Sequence, residues 1–342
     1  MSTINLTGHS RELCLVKDGK VFNPKRSIKS FLMTRFADPL KALYFDQLSI
    51  DYIDEILRQV GCAINYINDI PVIDIGSGNP LVIITGFSAY DYRIVNALTL
   101  MLYRYYSESI YHTPSVSESV LKKFRLHIIL TANPDAYRVT DKYFHELSIM
   151  DKDSIIVFED FLTLKSRYTQ TIHKLIHEVK PEAAIILTYS DVDSVHITGL
   201  EVLESLMNEI AVGIKESNVN VKIKIEHLDP QLPHHHFTLE SIPSVSICIP
   251  RSLSIVKIAQ IITKVLSKLA QVDLKSLMEI KHQEAYKVVI YGNIDNIVSN
   301  FKEHNMEVKI LSEREVEVTV RGLMRLIFRD RIVENYFKVY IP

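Results

Sequence analysis

Apolar residues recur along the middle of the chain in two alternating patterns. Short uninterrupted runs, at 81–85 (LVIIT), 125–131 (RLHIILT), 183–188 (AAIILT) and 244–249 (SVSICI), have the length and β-branched content of strands buried on both faces. Between them the apolar positions fall at helical spacing. Ile53, Ile56, Leu57 and Val60 form a stripe that Ser49 or Asp51 can cap and Gly61 can stop. Leu98, Met101, Leu102 and Tyr105 form another over 94–106, and helices are predicted over 162–179, 200–215 and 255–272, the first of these stopped by Lys180-Pro181. Strands are also predicted at 70–75 and 219–225, with Gly76-Ser77-Gly78-Asn79-Pro80 as a turn before the strand at 81. Apolar strands alternating with helices predict βαβ units, a mostly parallel sheet and helices on both of its faces.

The pattern changes near Glu284. A strand at 287–291, a helix at 294–303, a hairpin of 307–311 with 314–320 and a last strand at 336–341 predict a small α+β module. The hairpin turn falls at Ser312-Glu313, which lacks the Gly or Asn that two-residue turns favour. The chain thus divides into an N-terminal segment (1–48), an α/β domain (49–275) and the module (284–342).

Composition narrows the classes. A chain of 342 residues with 47% hydrophobic residues is globular, and a formal net charge of -2 gives no expectation of a nucleic-acid or membrane partner. The basic stretch 17–35 reads as a solvated face. Three cysteines (Cys14, Cys62, Cys248), far apart and with no CxxC, fit a reducing compartment rather than a disulfide framework. No signal peptide or membrane span is expected: the richest apolar helix, 255–272, carries Lys257, Lys264 and Lys268. A cytoplasmic location is the expectation. Ten glycines, no tryptophan and abundant Ile and Lys suit a thermophile.

Three stretches then occur in a meaningful order. Leu81–Asp91 (LVIITGFSAYD) is a strand, a glycine and a short polar segment before the helix at 94. Ile128–Tyr137 (IILTANPDAY) is a strand ending in Asn-Pro-Asp. Ser241–Pro250 (SIPSVSICIP) is a strand framed by prolines. Together, over residues 53–269, they resemble the zinc carboxypeptidase family with its aspartoacylase-like deacylases. The resemblance implies a three-layer α/β fold with a mixed sheet. It also implies two zinc ligands from His-x-x-Glu after the first strand, a third histidine at the end of the 183–188 strand, and a general-base glutamate in the 244–250 strand. At those positions this chain has Ser88 and Asp91, Thr188, and Cys248. Catalytic zinc needs imidazole and carboxylate ligands with an open water position, which Ser88 and Thr188 do not supply. The Asn-Arg pair that would hold a substrate carboxylate is absent between Tyr137 and Glu159, where Arg138 is the sole arginine.

The expectation is therefore a non-catalytic relative with no cofactor, binding a peptide or protein partner. The alternative is an active metal-dependent carboxypeptidase or amide-cleaving deacylase, with zinc as its cofactor and an unusual ligand set drawn from Asp91, Asp191, Asp193 and His196, carboxylates that a hard cation such as Mg²⁺ would also accept. A third possibility assigns partner binding to the C-terminal module. Three other features take bland readings. His234-His235-His236 reads as a solvated loop, since adjacent side chains on an extended chain diverge. Cys248 reads as an inert buried thiol rather than a nucleophile. Glu240 cannot replace the general base without breaking the match of the Pro243–Pro250 strand.

Overall fold

The computed structural model describes residues 15–17, 20–22, 47–107, 114–138, 150–277, 286–291, 307–312 and 315–320. Near the N-terminus, β1 (Leu15–Lys17) and β2 (Lys20–Phe22) form an antiparallel pair. Most of the basic stretch 17–35, the helix expected at 294–303 and the strand expected at 336–341 lie outside the described residues.

The main body is an eight-stranded sheet in the order β3-β4-β6-β5-β7-β10-β8-β9. Its strands are β3 (Asn65–Ile67), β4 (Ile70–Gly76), β5 (Asn79–Ile84), β6 (Phe124–Ile129), β7 (Ala183–Ser190), β8 (Val195–Gly199), β9 (Val221–Ile225) and β10 (Ser244–Pro250). The central β6, β5, β7 and β10 are parallel, as their continuous apolar runs predict, whereas β4 runs against β6 and β8 against β10. Alternate residues of each central strand serve opposite layers. Leu81, Ile83, Ile185, Leu187 and Ile247 pack under α1 (Ile50–Arg58), α2 (Tyr92–Tyr106), α6 (Glu204–Lys215) and α8 (Ile255–Leu269). Val82, Ile84, Ala184 and Ile186 pack under α5 (Arg167–Val179) and α7 (Pro233–Leu239). The chain is a three-layer α/β protein with a mixed sheet. Its core reaches from Leu48 to Leu274.

Local chemistry sets the element boundaries. Ser49 caps α1, accepting from Tyr52 N, and Gly61 leaves it at φ +83°. The short helices α3 (Glu118–Lys123) and α4 (Pro134–Tyr137) flank β6, and Asn133 caps α4 by accepting from Ala136 N at 3.1 Å with Pro134 at the first helical position. That capping accounts for the Asn-Pro-Asp segment without reference to catalysis.

Four expectations need correction. The helix expected from 162 starts at Arg167, because buried Asp160 accepts from the amides of Lys165 and Ser166 and from the hydroxyls of Thr163 and Thr169, holding the preceding residues in a loop. The VHITG stretch is a strand, β8, which the pattern did not reveal. In the module, β11 (Tyr286–Tyr291), β12 (Glu307–Ser312) and β13 (Glu315–Val320) form an antiparallel sheet in the order β11-β13-β12. There Ser312 pairs with Glu315 after a register shift, so the connection is at 313–314 rather than 312–313. The histidine triplet is helical and buried, not a solvated loop.

Candidate functional site

The parallel strands β5, β7 and β10 end at one edge of the sheet, where open α/β folds place their clefts. Gly86 lets β5 turn there at φ +73°. A Cβ on it would stand 2.5 Å from Leu130 O, because the chain after β5 passes tightly against the chain after β6. Ala132 N donates to Thr85 O at 2.8 Å and Asn133 N to Gly86 O at 3.1 Å. This crossing aims Ser88 and Asp91, which bracket a 3-10 turn (Ala89–Asp91), at the end of β7.

Ser88 and Asp91 are buried. Asp91 Oδ2 accepts from Ser88 N at 3.1 Å and Oδ1 from Tyr189 N at 3.0 Å, so the carboxylate ties the turn to β7. Thr188 and Cys248 are paired in register, and the Thr188 hydroxyl donates to Cys248 Sγ at 3.6 Å. Burial raises the Cys248 thiol pKa, against the lowering effect of the Thr188 and Ser246 hydroxyls. His196 pairs with Cys248 from β8, placing Thr188, Cys248 and His196 in one row across three strands. Its Nε2 is 3.1 Å from the Ser194 hydroxyl.

The outer wall of this edge is aromatic and cationic. Tyr90 and Tyr189 stack at 5.6 Å between centroids, and the Arg251 guanidinium lies 4.7 Å from the first ring and 4.5 Å from the second. Arg251 is half exposed and 4.0 Å from Asp191, which accepts from the Tyr189 hydroxyl. Burial and then the Asp191 hydrogen bond push the Tyr189 phenol up to about 12. Asp91, Asp191, Asp193 and His196 are not brought together as a ligand group among the described residues.

The zinc implied by the resemblance does not fit Ser88, Asp91 and Thr188. They offer two hydroxyls, no imidazole and a single carboxylate, whose oxygens each accept from a backbone amide.

Two groups missed in the sequence lie elsewhere, both built around α7. Glu226 follows β9, whose last residue Ile225 pairs with Gly199 of β8, and its charge reaches Cys248, where it helps to raise the thiol pKa. Glu226 Oε2 is 3.1 Å from His234 Nε2 and 3.5 Å from His235 Nε2, while its Oε1 accepts from Lys224 Nζ at 3.1 Å. Burial would raise the Glu226 carboxyl, but hydrogen bonds from His234 and His235 hold it below the ordinary carboxylate range. Burial lowers His234 to about 4, despite Glu226. A cleft of about 580 Å³ opens beside this group, lined in part by Leu162, Glu226, Leu228, Pro230, Leu232 and His235.

The second group joins α7 to α5. His173, His236 and Glu240 bring their donor atoms within 4.8 Å of one another, with His177 alongside. Its sequence signal was present: His173 and His177, like His236 and Glu240, are four apart, the spacing that puts two side chains on one helical face.

The fold now has counterparts. The structure resembles a protein designated a carboxypeptidase from Burkholderia mallei, with a TM-score of 0.54 and 11% identity over 67% of this chain and 68% of that one. It also resembles a metallo-carboxypeptidase from Burkholderia cenocepacia, with a TM-score of 0.52 and 11% identity over 76% of this chain and 77% of that one. The sequence matches no family model and no curated protein. The chain therefore has the metallo-carboxypeptidase fold. At 11% identity the likeness defines the class of fold and leaves the chemistry to the side chains.

Proposed function

We propose that this chain is a non-catalytic protein of carboxypeptidase-like fold whose strand-end cleft binds a peptide or a protein segment. The observation that carries this reading is the side-chain chemistry at the strand ends, where Ser88, Thr188 and Cys248 offer hydroxyls and a thiol of raised pKa and Asp91 ties the turn to β7 through the Ser88 and Tyr189 amides. Ser88, Thr188 and Cys248 add no metal-activated water and no carboxylate base. Arg251 supports a binding role. Its planar cation rests on two tyrosine rings with its edge open to solvent, a geometry suited to a peptide's terminal carboxylate or an acidic side chain.

The test uses N-blocked peptides with varied C-terminal residues, incubated with the tag-free chain and zinc, with cleavage followed by mass spectrometry and binding by fluorescence anisotropy. The expected result is no release of C-terminal residues, and peptide binding that weakens at least about tenfold in Arg251→Ala. Turnover that disappears in Asp91→Ala would overturn the reading, as would an Arg251→Ala chain that binds every peptide unchanged.

A further inference from the structure

The histidines of α5 and α7 meet around one carboxylate oxygen. Glu240 Oε1 lies 2.9 Å from His173 Nε2, 3.3 Å from His177 Nε2 and 3.3 Å from His236 Nε2. His173 Nε2 and His177 Nε2 are 3.1 Å apart. The second Glu240 oxygen is buried with no hydrogen-bond partner.

Hydrogen bonds alone do not satisfy this arrangement. Two imidazole nitrogens 3.1 Å apart hydrogen-bond to each other only where one lacks its proton; where both keep it and turn to Glu240, three N–H groups crowd one carboxylate oxygen while the other accepts from none. In the first case the bare nitrogen also faces the Glu240 oxygen, at 2.9 or 3.3 Å, so two lone pairs oppose each other. A cation placed among the four atoms turns these repulsions into bonds. Tetrahedral zinc with ligand distances of about 2.0–2.1 Å has ligand-to-ligand edges of about 3.3–3.4 Å. Four of the six spacings, at 2.9–3.3 Å, are close to those edges, and the donor atoms of His173, His236 and Glu240 all fall within 4.8 Å of one another.

We infer that His173, His236 and Glu240, joined by the adjacent His177, form a binding site for a divalent transition metal, zinc by its nitrogen-rich donor set with one carboxylate oxygen. His177 Nε2, 3.1 Å from His173 and 3.3 Å from Glu240, would complete the shell by turning toward the other three, and four protein ligands leave no open position, which is the character of a structural site. The metal clasps α5, which feeds β7, to α7, which feeds β10. It takes none of its ligands from Ser88, Asp91, Thr188 or Cys248, so its presence is independent of whether the strand-end cleft is catalytic. The neighbouring Glu226, His234 and His235 group makes no such demand. Lys224 neutralises Glu226, and His235 Nδ1 already accepts from Asp229 N at 3.0 Å.

Tag-free chain is loaded with zinc, dialysed, and measured for metal by mass spectrometry, with affinity read by competition with a chromophoric chelator. Cobalt loading gives a second readout through the visible bands of tetrahedral Co²⁺. The expected result is one zinc per chain and a tetrahedral cobalt spectrum without thiolate charge transfer. Affinity is expected to fall at least about 100-fold in His173→Ala and His236→Ala, and about tenfold in the half-exposed His177→Ala. Circular dichroism checks that each variant folds. Should the α7 variant unfold, His177→Ala and the wild-type cobalt spectrum decide the matter. A wild-type chain that takes up no metal, an octahedral cobalt spectrum, undiminished binding in His177→Ala and His173→Ala, or loss of the metal in Glu226→Gln would each overturn the proposal.

Discussion

At Asp91 a single carboxylate satisfies two amides buried between the 3-10 turn and β7. Replacing it by alanine strands both N–H groups, and a buried unsatisfied donor costs about 1–3 kcal/mol. Asp91→Ala is expected to lower unfolding free energy by about 2–4 kcal/mol in urea titrations, a loss no metal restores. Cys248 makes a second residue-level case. Its raised thiol pKa predicts that alkylation at pH 8, read by peptide mapping, labels it at least about tenfold more slowly in the folded chain than in urea. Asp74 gives a pH dependence. Its hydrogen bond with His127 Nδ1 at 2.5 Å, aided by Arg125, lowers its pKa from the ordinary 3.8, against desolvation. A carboxyl lowered in the fold contributes stability above its unfolded pKa and loses it as pH falls through the folded value. Asp74→Asn should therefore destabilise the chain at pH 7, by no more than about 1 kcal/mol given its partial exposure, and the gap should close below pH 3.8.

At the scale of elements, the tightest constraint is the crossing after β5 and β6. Gly86→Ala would force a left-handed residue into contact with Leu130 O at 2.5 Å and Thr131 Cα at 2.6 Å. The expected cost is about 2–4 kcal/mol, measured by urea denaturation, with loss of the Tyr90–Tyr189–Arg251 wall as its functional consequence. The parallel strands were legible because burial on both faces leaves a continuous apolar run, as in AAIILT. β8 was not, since it is short and mixes His196 with Thr198 in a partly exposed position beside an acidic loop. The 234–236 triplet was misread for a related reason. A seven-residue helix carries too little periodicity to announce itself, and its burial comes from α5, Glu226 and the sheet.

For the whole molecule, α7 stands between two histidine groups and links the layer of α5 to the strand β10. If the metal clasp forms, it stabilises the native state by mass action, about 2.7 kcal/mol at a hundredfold excess of free ion over Kd. Thermal unfolding should shift upward by several degrees with zinc in the wild-type chain and stay put in a His173→Ala, His177→Ala double variant. No helix among the described residues is long and apolar enough to cross a membrane.

The sequence by itself determined the α/β class, the strand–helix alternation and the resemblance to carboxypeptidases, because buried parallel strands and their turn residues leave local, ordered signatures. The expectation that Ser88, Asp91 and Thr188 stand at ligand positions and Cys248 at that of the general base also came from the sequence, where they lie inside strand-end motifs. Only the tertiary structure decided what those residues touch. Asp91 meets Tyr189 across 98 positions, and Glu240 meets His173 across 67. Such pairings arise from how the sheet orders its strands and how α5 and α7 cross its face, and no periodicity within either segment encodes them.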